Sequence, residues 1–116
     1  AKGETDVQIR LRLGDPSATV TFDSSSYSDG EVVCVTLDQF NSLQLQSVAV
    51  DLTGTNIRSN KPISVLSGGR LTRFMNDFTS DGVIEQMPPL STWGKDFLAV
   101  LSPLASVYVT KFIHML

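Results

Sequence analysis

Residues 77–82 carry the strongest hint of metal chemistry in the chain. Asp77, Thr79 and Asp81 supply side-chain oxygens at the first, third and fifth positions of a loop, with Gly82 sixth. Calcium loops are built this way, but they close with a bidentate Glu at the twelfth position, which here is Pro88, while Glu85 falls ninth. Calcium requires six or more converging oxygens, so the stretch reads as an Asx-rich turn. Nucleophilic catalysis fares no better. The one histidine, His114, lies near the C-terminus and the one cysteine, Cys34, sits in the apolar run E-V-V-C-V-T-L. No Ser-His-Asp or Cys-His set has an imidazole at its centre, and one Cys with one His does not make a four-ligand zinc site. Gly68 and Gly69 lack the spacing of a phosphate loop and read as a turn. The twelve acids are scattered and read as solvated surface. No catalytic, cofactor-binding or metal residue is assigned, no cofactor is expected, and no binding residue is singled out. Cys34 is expected to be a buried, inert small hydrophobe in a strand.

The 116 residues, 41% hydrophobic and 18% charged, suffice for one core. Residues 1–116 are expected to be a single β-rich domain, whole or part of a larger region. The net charge is −3 and basic residues are dispersed, which argues against nucleic acid and against an anionic membrane surface as partners. No apolar run approaches the roughly 20 residues of a membrane-spanning helix.

The elements read mainly as short strands. Val7, Ile9, Leu11 and Leu13 alternate with Gln8, Arg10 and Arg12, a period of two with one wet face, ended by Gly14-Asp15-Pro16. Ala18, Val20 and Phe22 make a second strand. Residues 23–30 read as a polar loop closing on an Asp-Gly turn, with a hairpin into a third strand at 31–37. Residues 40–52 suggest two strands with a slip of phase at Ser47-Val48. Residues 51–60 read as turns with a corner at Gly54. Ile63, Val65 and Leu66 suggest a short buried strand stopped by Gly68-Gly69, and 70–75 a brief helical turn or excursion. Strands of this length between turn signals favour an antiparallel β-sandwich-like unit; part of a larger β repeat or propeller assembly is the alternative.

Residues 83–97 gather the only Trp, two adjacent prolines and several large apolar side chains. Pro88 and Pro89 force extended backbone at Met87. After Leu90, Ser91 or Thr92 is placed to cap a short turn or helix with Trp93 and Phe97 on one face. This Pro-rich, Trp-containing segment is expected to anchor the fold, with Trp93 buried as a lid on the sheet. Residues 106–116 are apolar on both faces, which suits a covered strand or a self-associating edge.

The string I-E-Q-M-P-P-L-S-T-W-G-K-D-F at 84–97 resembles a signature of the IgGFc-binding protein family, E-Q-[apolar]-x-P-x-S-x-W-G-x-x-[aromatic]. L-Q-L-Q-S at 43–47 and D-L-T-G-T-N-I-R-S-N-K-P-I-S-V-L-S-G at 51–68 agree with it in the expected order. The resemblance extends over about residues 18–100. It implies a non-catalytic, secreted or extracellular binding or adhesion module of the mucus-associated type, with a protein or glycoprotein ligand such as immunoglobulin Fc or mucin. A carbohydrate-active or hydrolytic domain is the alternative from another class. The matched residues Asp51, Gly54, Pro62, Gly68, Glu85, Gln86, Pro89, Trp93 and Gly94 resemble turn and core positions. Relatives carry a cysteine pair between the S-G turn and the E-Q motif. This chain has none there, so no disulfide staple is expected in that loop.

Overall fold

A computed structural model describes residues 3–47, 50–72, 81–96 and 98. It is mainly β, with seven strands among the described residues, every pairing antiparallel. The described residues fall into two compact units, one ending at Ile63 and one starting at Ser64.

The first unit is built on β1 (Thr5–Arg10), whose alternation of buried and exposed side chains follows the period of two. It lies between β4 (Val32–Leu37) and β5 (Asn56–Ser59) in the order β4-β1-β5. Val7 faces Val35 and Ser59, and Ile9 faces Val33 and Ile57, so one face of the sheet is an apolar row. The alternation outlasts the strand. Leu11 and Leu13 are as buried as Val33, because the chain beyond Arg10 is stitched to the 28–31 turn: Leu11 N–H donates to the Glu31 carbonyl at 2.9 Å and Gly30 N–H to the Leu11 carbonyl at 3.0 Å. Asp29 closes this junction, its carboxylate accepting from Leu13 N–H at 2.7 Å and from Arg12 Nη1 at 3.2 Å.

β2 (Thr19–Phe22) and β3 (Ser25–Ser28) form a hairpin, and Val20 joins Val7, Ile9, Leu11, Leu13 and Val33 in one buried cluster. Two sheets thus share a single core, flanked by half-buried Phe22, Tyr27, Leu43, Leu45, Leu52 and Ile63. The hairpin turns on Asp23 and Ser24, both with positive φ (46° and 62°), the backbone that two-residue primed turns require. At the other end of β2, the Asp15 carboxylate accepts from the Ser17 hydroxyl at 2.7 Å and the Ser17 N–H at 2.8 Å. These bonds hold its carboxyl below the usual carboxylate range, so their contribution is complete above that range and fades as pH falls through the lowered value.

Several sequence expectations are corrected. Residues 25–28 are a strand and not loop, and 31–37 pairs with β1 and not with the second strand. Residues 40–47 and 50–52 are irregular, although Leu43 and Leu45 still turn inward. Residues 56–59 are a strand: Arg12 N–H donates to Thr55 Oγ1 at 3.1 Å and Asp6 N–H to Asn60 Oδ1 at 3.0 Å, pinning both ends of β5 to β1.

The second unit contains the hairpin of β6 (Leu66–Thr72) and β7 (Asp81–Gln86), then a 3-10 turn, Leu90–Thr92. Gly68 and Gly69 do not stop the strand; they lie within it. A Cβ on Gly68 would overlap the Val83 carbonyl oxygen, so glycine is what lets β6 approach β7 this closely. Leu66 is exposed, contrary to the buried strand expected for 63–66. Residues 70–72 continue β6 and do not form a helical turn.

Because the row Val7, Ile9, Leu11, Leu13 holds both sheets of the first unit, Leu11→Ala is expected to cost about 2–5 kcal/mol. Guanidinium unfolding followed by far-UV circular dichroism measures it; a loss under about 0.5 kcal/mol would show that Leu11 is not part of the core.

Candidate functional site

The sheet β4-β1-β5 turns its apolar face inward and leaves the other face exposed. Across that outer face Cys34, Gln8 and Arg58 form one row, and Val32, Arg10 and Asn56 the next. Gln8 and Arg58 are therefore direct cross-strand neighbours, as are Arg10 and Asn56, and the two arginines lie on a diagonal. The backbones of diagonal neighbours are separated by roughly 7–8 Å, within reach of long side chains. Gln8, Arg10, Val32, Asn56 and Arg58 line a shallow depression of about 160 Å³.

The charges around it are arranged unevenly. The described part of the first unit has four cations, Arg10, Arg12, Arg58 and Lys61, against eight carboxylates. Arg12 is satisfied by Asp29. In the row beyond Gln8, Asp6 is engaged by Thr36 Oγ1 at 3.1 Å and Asn60 Nδ2 at 3.1 Å. Arg10 and Arg58 meet no carboxylate among the described residues. The depression is thus the basic spot of an acidic unit, with Asp6 on the diagonal from Arg58 on the other side of Gln8 offsetting part of that charge. It offers two planar guanidinium forks and two carboxamides, each of the latter both donor and acceptor.

The residues weighed in the sequence are placed differently. Cys34 is exposed and not buried, because Val33 and Val35 take the inward positions of β4 and the period of two puts Cys34 on the outer face beside Gln8. Asp77, Thr79 and His114 lie outside the described residues, as do residues 106–116; Asp81 and Gly82 begin β7 and Glu85 lies within it. Among the described residues no three His, Cys, Asp or Glu side chains gather as a metal site.

Trp93 is half-buried and not the buried lid expected, and the fully buried side chains of the described residues all lie in the first unit. Its Nε1–H donates to the Pro88 carbonyl at 3.2 Å. The preceding turn is closed by Thr92, whose N–H and Oγ1 both donate to the Pro89 carbonyl, at 2.9 and 2.8 Å. No side chain caps the turn from its N-terminal side, and Phe97 lies outside the described residues. The other matched positions are turn and edge residues. Asp51 Oδ1 accepts from Thr53 N–H at 2.9 Å and Thr53 Oγ1 at 2.7 Å, and Gly54 has φ +91° beside the Arg12 side chain.

Residues 1–111 match the family model described as IgGFc binding protein. The chain belongs to the IgGFc-binding protein family. The human IgGFc-binding protein is 36% identical over 95 residues, which is 82% of this chain and 2% of that relative. The chain therefore spans a small fraction of the length of the curated family member that it matches. No solved structure matches it.

Sequence reasoning missed Arg10 and Arg58 as a pair. Arg10 stood on a visible wet face, but Arg58 lay in a stretch read as turns, and only the pairing of β5 with β1 brings the two together. Cys34 on the same face gives a direct check of its orientation. A chromogenic disulfide reagent is expected to label it promptly in the native protein, as readily as after guanidinium; labelling that waits for denaturation would place the thiol inside.

Proposed function

We propose that residues 1–116 form a non-catalytic binding or adhesion module that works outside the cell within a larger IgGFc-binding-like region. Its ligand is a protein or glycoprotein of the mucus or immunoglobulin type. Family membership supports the general class, because the human relative is named for binding the Fc part of immunoglobulin G. The observation on this chain that carries the reading is the outer face of β4-β1-β5, where Arg10 and Arg58 stand without carboxylate partners among the described residues, around a shallow depression. Such a face is suited to contact: polar, charged and carried on regular strands, so the backbone beneath it is set before a ligand arrives.

A depression this shallow does not enclose a substrate, whereas small-molecule pockets usually run to roughly 300–1,000 Å³. Adhesion through many weak, repeated contacts suits it better, since linked modules gain avidity without any one site being deep.

Immobilised Fc, mucin and other glycoprotein panels test the reading beside a panel of glycoside, ester and peptide substrates. Saturable binding to at least one glycoprotein with no turnover is the expected outcome. Turnover that disappears when a single carboxylate is neutralised would overturn it in favour of a hydrolytic domain.

A further inference from the structure

We propose that the depression between Arg10 and Arg58 binds a terminal acidic sugar, one that carries a carboxylate. This deepens the binding-module reading and rests on it. Four observations converge on that chemistry. The first is charge: the two arginines have no carboxylate partner among the described residues, on a unit where carboxylates outnumber cations. An anion placed between them makes two charge-assisted contacts at once. The second is the shape of the donors, since a guanidinium presents a planar fork that matches a planar carboxylate with two parallel hydrogen bonds.

The third is the pair of carboxamides on the other diagonal. Gln8 lies directly across from Arg58, and Asn56 directly across from Arg10. Each is able to donate and accept, which is what neighbouring hydroxyl and amide groups of a sugar ring require. The fourth is size and floor. About 160 Å³ is room for one ring-sized group, and half-buried Val32 offers an apolar surface for its carbon face. An acidic peptide would supply a carboxylate but not the ring of hydroxyls that the carboxamides face.

Rigidity adds to the fit. β5, which carries Asn56 and Arg58, is pinned to β1 at Thr55 and Asn60, so the backbone positions that carry the four side chains are held in register without the ligand.

The probe is 3′-sialyllactose, titrated by isothermal calorimetry or by ligand-observed NMR against the whole chain, with lactose and 3′-sulfated lactose alongside. Saturable binding of sialyllactose, no binding of lactose and weaker binding of the sulfated sugar are expected. Arg10→Ala and Arg58→Ala should each weaken binding about tenfold or more, the scale of losing a charged hydrogen bond. Arg58→Lys, which keeps the charge and loses the fork, should not restore it. Lys95→Ala removes a cation in the second unit and should change nothing. Circular dichroism verifies that each variant is folded.

Equal binding of lactose, tighter binding of the sulfated sugar, or arginine variants that bind as the parent does would each overturn the assignment. So would glycoprotein binding that survives both arginine substitutions and sialidase treatment, an outcome that leaves the binding-module reading intact. Failure to bind any glycoprotein in the panel would instead count against that reading, and the sugar titration would still decide this one.

Discussion

The first unit depends on one row of apolar side chains, Val7, Ile9, Leu11 and Leu13, staying on one face across the end of a strand. β1 is hydrogen-bonded on both sides only as far as Arg10. Beyond it the backbone must find other partners, or the last two leucines would bring unsatisfied amides toward the core. The 28–31 turn supplies those partners, with Asp29 accepting the Leu13 amide. A polar side chain thereby maintains a hydrophobic periodicity. The same junction fixes Arg12, so that the charged row on the outer face is placed by the same bonds that seat the core.

Inward and outward faces are therefore one constraint and not two. Each inward residue of β1 fixes its outward neighbour, and the pairing with β4 and β5 extends that rule across the sheet. Gln8 and Arg10 face outward because Val7, Ile9 and Leu11 do not. Their neighbours Arg58 and Asn56 follow from register, which is strongly specified where one face is buried. The second unit is built on a different principle, a close backbone approach at Gly68 and a proline-led turn, and it leaves Leu66, Ile84 and Leu90 exposed.

What was legible in the sequence is what period two alone encodes. The strands at 5–10, 19–22 and 32–37 stand out because their inward residues are branched or aromatic. Ser25–Ser28 did not, since Tyr27 is its single apolar residue and the strand exists through pairing with β2. Asn56–Ser59 was hidden for a similar reason: it is held by side-chain bonds at its ends more than by burial. Cys34 was misplaced although its phase was readable, because four apolar residues in succession mask which of them point inward. Gly68-Gly69 has the composition of a stop, whereas the role of Gly68 is closeness. The family was legible from two motifs, yet those motifs mark turns and edges. The arginine pair lies partly outside them and needed the non-local register of β1 with β5.

The division at Ile63 and Ser64 bears on how the protein's cooperativity is read. Trp93 is the only tryptophan, and it belongs to the second unit, folded against the Pro88 carbonyl. Its emission responds to the polarity around that indole. An unfolding transition followed by tryptophan fluorescence thus reports on the surroundings of Trp93 in the proline-led turn. Far-UV circular dichroism, dominated by strands from both units, weights the two differently. Coincidence of the two curves is then a measure of coupling between the units and not a formality, and a gap between them would be a property of the molecule: two melting events under one chain.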